Sequence, residues 1–195
     1  MVGASIDDTL VIWIATHRYR PLNDPFVWLG TIDKIGAVWV VLALLVAVLQ
    51  RRRIAAVVGL MILTALTTFA ADSVSFGLKD LAHRTRPFVA HPQIQPLYLV
   101  HSSSFPAGHA ATAFAGATLL SFVAPRATPL FATLALAIGF SRVYVGVHYP
   151  GDVLAGAGIG VVVGAAAVLV LAFVRGDRRL KTLSPRLPQL AGRDG

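Results

Sequence analysis

Three short stretches hold the residues of this chain best suited to acid–base or nucleophilic work. They are Lys79-Asp80-Leu81-Ala82-His83-Arg84-Thr85-Arg86-Pro87, then Phe105-Pro106-Ala107-Gly108-His109, then Ser141-Arg142 with His148-Tyr149-Pro150-Gly151-Asp152. Lys79, Arg86 and Arg142 are cations that can converge on one compact, multiply charged anion, the guanidinium forks pairing with its oxygens. Phosphate fits that description. Pro106 and Gly108 mark a tight turn into a helix, whose first backbone N–H groups add donors and a favourable dipole. A lone cation beside a membrane is ordinarily an interface anchor, but three sharing a face with two histidines point to a site.

The two histidines permit a division of labour, because imidazole changes protonation near neutral pH. His148 precedes Asp152 by four residues. In a segment already turning helical, that spacing lets the carboxylate hold the ring tautomer and stabilise an imidazolium. His148 is therefore the nucleophile candidate, attacking phosphorus. His109, with no carboxylate at comparable spacing, is suited to protonate the departing oxygen and to act in reverse as a base. His17, His91 and His101 read as structural.

Rival chemistries fit less well. The clusters offer more cations than carboxylates, which repels a divalent ion, so no metal and no cofactor is expected. Ser102, Ser103 and Ser104 lack a nucleophile-elbow pattern and read as turn or cap residues. The absence of cysteine removes disulfides, thiolate ligands and a thiol nucleophile. Gly156 to Gly160 superficially evokes a dinucleotide loop but sits inside an apolar run, where Gly156, Gly160 and Gly164 suit close helix packing instead.

The elements that position these residues follow from composition. Of 195 residues, 56% are hydrophobic and 13% charged, and the mean hydropathy is +0.72. A water-soluble chain of this size has no interior large enough for that much apolar surface. The expected fold is an all-α integral-membrane helical bundle of about five to six transmembrane helices with an N-terminal amphipathic helix. Spans are expected from about Ile35 to Gln50, Ile54 to Leu78, Ala110 to Ala124, Thr128 to Val145 and Asp152 to Val174. Ile6, Leu10 and Ile14 recur every fourth residue beside Trp13, the pattern of a helix lying in the membrane surface. Asp7 and Asp8 stand where a signal peptide is basic, so the N-terminus is expected to be retained.

The excess of 17 Lys and Arg over nine Asp and Glu gives a net charge of +8. These cations flank apolar runs rather than interleaving with aromatics, which favours a topological role over nucleic-acid binding. Arg51, Arg52, Arg53, Arg126 and six basic residues of the tail fall on one side, predicted to be cytoplasmic. The stretch from Lys79 to His109, the turn at His148 and all six histidines then face outward, placing the protein in the plasma (inner) membrane with its site on the outer or periplasmic side. One membrane-embedded domain is expected over 1–174, with a basic, disordered cytoplasmic tail over 175–195.

Taken together, Lys79 with six residues before Arg86 and Pro87, then Pro106, Gly108 and His109, then Ser141, Arg142, His148 and Asp152 closely resemble the three signature motifs of the type-2 phosphatidic acid phosphatase superfamily. The resemblance covers about Lys79 to Asp152. It implies a metal-independent helical phosphatase in which His148 becomes phosphohistidine, Asp152 assists it and His109 protonates the leaving group. It further implies that Lys79, Arg86 and Arg142 bind phosphate, with Ser141 and the Gly108 backbone as extra donors. Ala107 stands where the second motif usually has serine, so one hydroxyl donor is absent.

The expected activity is removal of a terminal phosphate from a membrane lipid, with a polyprenyl diphosphate or related isoprenoid phosphate favoured. Alternatives are a phosphatidylglycerophosphate or phosphatidic acid phosphatase, a lipid-to-lipid phosphotransferase, or a phospholipid-binding membrane protein without turnover. The expected partners are the lipid substrate and the bilayer.

Overall fold

Residues 5–176 are described by a computed structural model of the chain. The fold is all-helical, with 78% of the described residues in helix. The eight α-helices are α1 (Ile6–Thr16), α2 (Asn23–Ile32), α3 (Ala37–Leu49), α4 (Ile54–Ala82), α5 (Pro87–Ala90), α6 (Gly108–Val123), α7 (Thr128–Tyr144) and α8 (Pro150–Val174). The tail beyond residue 176 lies outside the described residues, as do residues 1–4.

Small residues put α6 at the centre. Ala110, Ala111, Ala113, Ala115, Gly116 and Ala117 are all buried, so α4, α7 and α8 can each pack closely on it. On α8, a Cβ at Gly156 or Gly160 would lie 2.3 Å from the Ala107 carbonyl oxygen or 2.4 Å from that of Ala111. No side chain larger than hydrogen fits there, and the expected packing role of this glycine series holds. Around Trp39, which is fully buried, Ala43, Ala113, Leu120, Phe131 and Ile138 build the main core.

The outside of the bundle is apolar. Ile54, Val58, Ile62 and Leu66 along α4, and Leu154, Val162, Leu169 and Phe173 along α8, are all exposed. An apolar exterior over an apolar core is the pattern of a bundle solvated by lipid.

By length and hydropathy three segments can cross a membrane: Ile54–Ala90, Pro125–Tyr144 and Pro150–Val174. A fourth is the pair Arg20–Ile32 and Lys34–Leu49, bent by 50° at its break, while α6, at 16 residues, is shorter. This count is lower than the five to six expected from hydropathy runs. The expected first span is only the second half of the bent pair. At its break Ile35 and Gly36 both take positive φ (59° and 74°), a conformation that glycine adopts freely and isoleucine rarely. Asp33 anchors the break, accepting hydrogen bonds from Trp39 Nε1 (3.0 Å) and Thr112 Oγ1 (2.9 Å). A buried carboxylate so satisfied fixes the bend against α6.

Helix α1 is capped by Ser5, whose hydroxyl accepts from the Asp8 N–H while the Asp8 carboxylate accepts from the Ser5 N–H. Val11 and Ala15 are buried against the bundle, whereas Ile6, Leu10 and Trp13 are exposed. Of the predicted apolar stripe, Ile6, Leu10 and Trp13 thus face outward, as suits a helix lying against lipid, while Ile14 is half-buried against the bundle.

Candidate active site

Five helix ends meet at one end of the bundle. Lys79 sits in the last turn of α4 and Arg86 caps the start of α5. His109 is the second residue of α6, Arg142 lies in the last turn of α7, and Asp152 in the first turn of α8. Local sequence explains the last placement. Pro150 occupies the first helical position of α8, where a missing N–H costs nothing, and Asp152 three residues after Tyr149 accepts the Tyr149 N–H at 2.9 Å. The helix start thereby turns the carboxylate back toward His148.

His148 and Asp152 are both buried. The His148 Nδ1 lies 3.5 Å from Asp152 Oδ2 and has no nearer polar partner, while its Nε2 lies 3.4 Å from Arg86 Nη1. The Asp152 carboxylate is otherwise saturated. Oδ2 accepts from Ser104 Oγ at 2.5 Å, and Oδ1 accepts from Arg84 Nη1 at 2.6 Å. With so many partners its position is fixed independently of the imidazole.

The cations are held by carbonyls rather than by carboxylates. Lys79 Nζ donates to the Ser103 and Pro106 carbonyls (3.0 and 2.7 Å). Arg86 donates to the carbonyls of Ser102 and Val147, each at 2.7 Å, and to the Ser102 hydroxyl. Such contacts orient a cation without neutralising it, leaving its charge for an incoming anion.

Lys79, Arg86, Gly108, His109 and His148 line one cavity of about 180 Å³, together with Asp72 and Tyr98. Five of the eight expected site residues therefore share a wall, and Asp152 stands directly behind His148. Arg142 faces an adjoining cavity of about 410 Å³, which shares His109 and Tyr98 with the first and also includes Lys34. Its guanidinium donates to the Tyr98 hydroxyl, the Phe26 carbonyl and the Ser141 hydroxyl. The Ser141 hydroxyl in turn donates to the Ile138 carbonyl at 2.6 Å, so it braces Arg142 rather than pointing into the cavity. Ala107 is fully buried, and its N–H donates to the Asp152 carbonyl, tying α6 to α8.

Several contributors escape a reading by spacing. Asp72 supplies, from α4, a carboxylate in the cavity that His109 lines, and no local spacing announces it. The serine run read as turn chemistry puts Ser104 on Asp152 and Ser102 on Arg86. Arg84 lies within the first cluster but carried no role there, and Asp7 lies 77 residues away from it. Of the histidines read as structural, His91 pairs with Asp8 at 2.9 Å and His17 stacks on Trp13.

Burial pushes the His148 imidazole down to about 4, helped by Arg86 and Lys79 and opposed by Asp152. The ring is thus neutral at physiological pH, with a lone pair available. Among the described residues no group of three or more His, Cys, Asp or Glu side chains is placed to hold a metal ion.

Known proteins resemble this chain over the stretch that carries the cavity. The PAP2 superfamily profile matches residues 55–175, which include every expected site residue. The decaprenylphosphoryl-5-phosphoribose phosphatase of Mycobacterium tuberculosis is 38% identical over 132 residues, covering 65% of this chain and 68% of that protein. The undecaprenyl-diphosphatase of Sulfolobus acidocaldarius is 28% identical over 145 residues, covering 72% and 66% respectively. The crystal structure of Aquifex aeolicus LpxE superimposes with a TM-score of 0.72 at 25% identity, over 85% of this chain and 96% of that one. The resemblance read from the motifs therefore holds, and this membrane-integral chain belongs to the PAP2 superfamily, whose phosphatases hydrolyse lipid phosphate monoesters or diphosphates.

Proposed function

We propose that the chain is a membrane lipid phosphatase that removes a terminal phosphate through a phosphohistidine at His148. The observation carrying this reading is the seating of a neutral, buried imidazole between Asp152 and Arg86 in the wall of a cation-lined cavity. A site that only binds phosphate needs the cations but no oriented nucleophile.

In the first step His148 Nε2 attacks phosphorus, the bond to the leaving oxygen breaks, and His109 gives that oxygen a proton. Asp152 stabilises the imidazolium character that His148 acquires. In the second step water attacks the phosphohistidine, His109 takes its proton, and inorganic phosphate leaves as His148 is restored. Lys79, Arg86 and the Gly108 N–H offset charge on the equatorial oxygens. Arg142, on the far side of His109, serves the leaving-group side with Ser141 as its brace.

The favoured substrate is a polyprenyl diphosphate or related isoprenoid phosphate. Supporting this, the cavity that shares His109 also carries Lys34 and Arg142, cations suited to a second anionic group attached to the scissile phosphate. The relatives named above act on polyprenyl-linked phosphates by their names. We place the site on the outer face of the plasma membrane, with the basic tail in the cytoplasm.

The test is phosphate release by detergent-purified protein in the presence of EDTA, on a polyprenyl diphosphate, an isoprenoid monophosphate, phosphatidylglycerophosphate and phosphatidic acid, beside a His148→Ala control. Release that the control abolishes, fastest on the diphosphate, is expected. Faster turnover of a glycerophospholipid overturns the substrate assignment, and phosphate appearing on an acceptor lipid instead of in solution marks a phosphotransferase. Undiminished release by His148→Ala sinks the phosphohistidine.

A further inference from the structure

We propose that Asp7, acting through Arg84, sets the charge that Asp152 presents to His148, which makes α1 a positioning element of the active site. This rests on the assignment of His148 as nucleophile. Arg84 bridges two carboxylates: Nη1 donates to Asp152 Oδ1 at 2.6 Å, and Nη2 donates to Asp7 Oδ2 at 2.8 Å. The other oxygen of Asp7 accepts the Gly151 N–H at 2.8 Å, at the start of α8 and one residue before Asp152. The Arg84 guanidinium lies 4.0 Å over the Tyr149 ring. Asp7 therefore holds both the cation that pairs with Asp152 and the backbone that carries it.

The division of charge gives this contact its consequence. Arg84 is the ion-pair partner of Asp152 that does not line the phosphate cavity. While Asp7 shares Arg84, Asp152 keeps negative potential for the imidazolium character that His148 gains during attack. Without that share the whole guanidinium charge falls on Asp152, and less remains for His148. The other groups facing this pair are Arg86 and Lys79 on the cavity side, His109, Asp72 and Tyr98 in the same cavity, and the Ser104 hydroxyl and Tyr149 N–H on Asp152. None of them touches Asp7. Asp8, next along α1, pairs with His91 instead and tethers the same helix without reaching Arg84.

The experiment follows the titration of the His148 ring by NMR in the full-length detergent-purified protein, and measures kcat and KM on the best lipid substrate. Asp7→Asn is expected to lower the His148 midpoint and Arg84→Gln to raise it, each by roughly half a unit. In Asp7→Asn, kcat should fall about tenfold with KM little changed, since Asp7 does not touch the phosphate cavity. Asp7→Glu should recover part of the loss. Asp8→Asn, which removes the tether to His91 while the Asp7 contacts to Arg84 and Gly151 still hold α1 in place, should leave both the midpoint and kcat near the starting values. Shifts in the same direction for Asp7→Asn and Arg84→Gln, or no shift in either, overturn the proposal. So does an Asp8→Asn variant that matches Asp7→Asn, because docking of α1 alone then explains the effect. The titration reads this clamp even where no lipid is turned over, so its failure is distinct from a failure of the phosphatase assignment.

Discussion

At the scale of single residues, the buried imidazole of His148 makes the first prediction. Its folded midpoint of about 4 lies below the 6.5 of an exposed histidine, so the unfolded chain binds the extra proton first as pH falls. The stability this contributes is complete above pH 6.5 and is lost progressively toward pH 4. Thermal unfolding of the detergent-purified protein should therefore show a Tm that falls over that window, and His148→Asn should flatten the fall. An unchanged slope in the variant places the sensitive group elsewhere. The pairing of His148 with Asp152 was legible because only four positions separate them, and the first turn of α8, which starts at Pro150, brings the carboxylate back to the turn that carries His148. Arg84 and Asp7 were not legible as partners, nor was Asp72 as part of the cavity that His109 lines, because residues tens of positions apart meet there only through how whole helices pack. Ser102 and Ser104 misled for a related reason: a serine run carries the same local signal whether its hydroxyls cap a turn or reach a buried carboxylate.

At the scale of elements, the site exists because α6 and α8 approach until backbone touches backbone, bringing His109 toward the turn that carries His148 and Asp152. Gly160→Ala places a methyl group 2.4 Å from the Ala111 carbonyl oxygen, and the helices must part to accept it. Overpacking of this kind costs about 1–3 kcal/mol. Gly160→Ala should thus lower both Tm and kcat. Gly158→Ala, on the same helix but with open space around the added carbon, should leave both at or above their starting values. Equal behaviour of the two variants removes the close approach as a determinant. The spacing of Gly156, Gly160 and Gly164 announced this contact, and four of the expected spans match α4, α6, α7 and α8 to within a few residues. The bend between α2 and α3 was hidden, because hydropathy reports a run of apolar residues but not a reversal of φ at Ile35 and Gly36.

At the scale of the molecule, the turns that carry Arg51 to Arg53 and Arg126 lie at the end of the bundle opposite the site. The turn carrying Arg51, Arg52 and Arg53 is joined to the end of α6 by a hydrogen bond from Gln50 Nε2 to the Val123 carbonyl, so it shares one end of the bundle with the turn at Arg126. Lys79, Arg84, Arg86, His109 and His148 gather at the other end. Arginines that flank apolar helices are held on the cytoplasmic side during insertion, so the phosphate cavity should open outward. The sequence contains no cysteine, which turns this into a direct measurement. In intact cells a membrane-impermeant maleimide should label His101→Cys, exposed beside the site, and should reach Arg53→Cys only after the membrane is permeabilised. The reverse pattern would put the cavity in the cytoplasm, and recycling of an externally delivered lipid phosphate would no longer be open to this enzyme. The orientation thus decides which leaflet supplies the substrate, a constraint that the chemistry of the site leaves open.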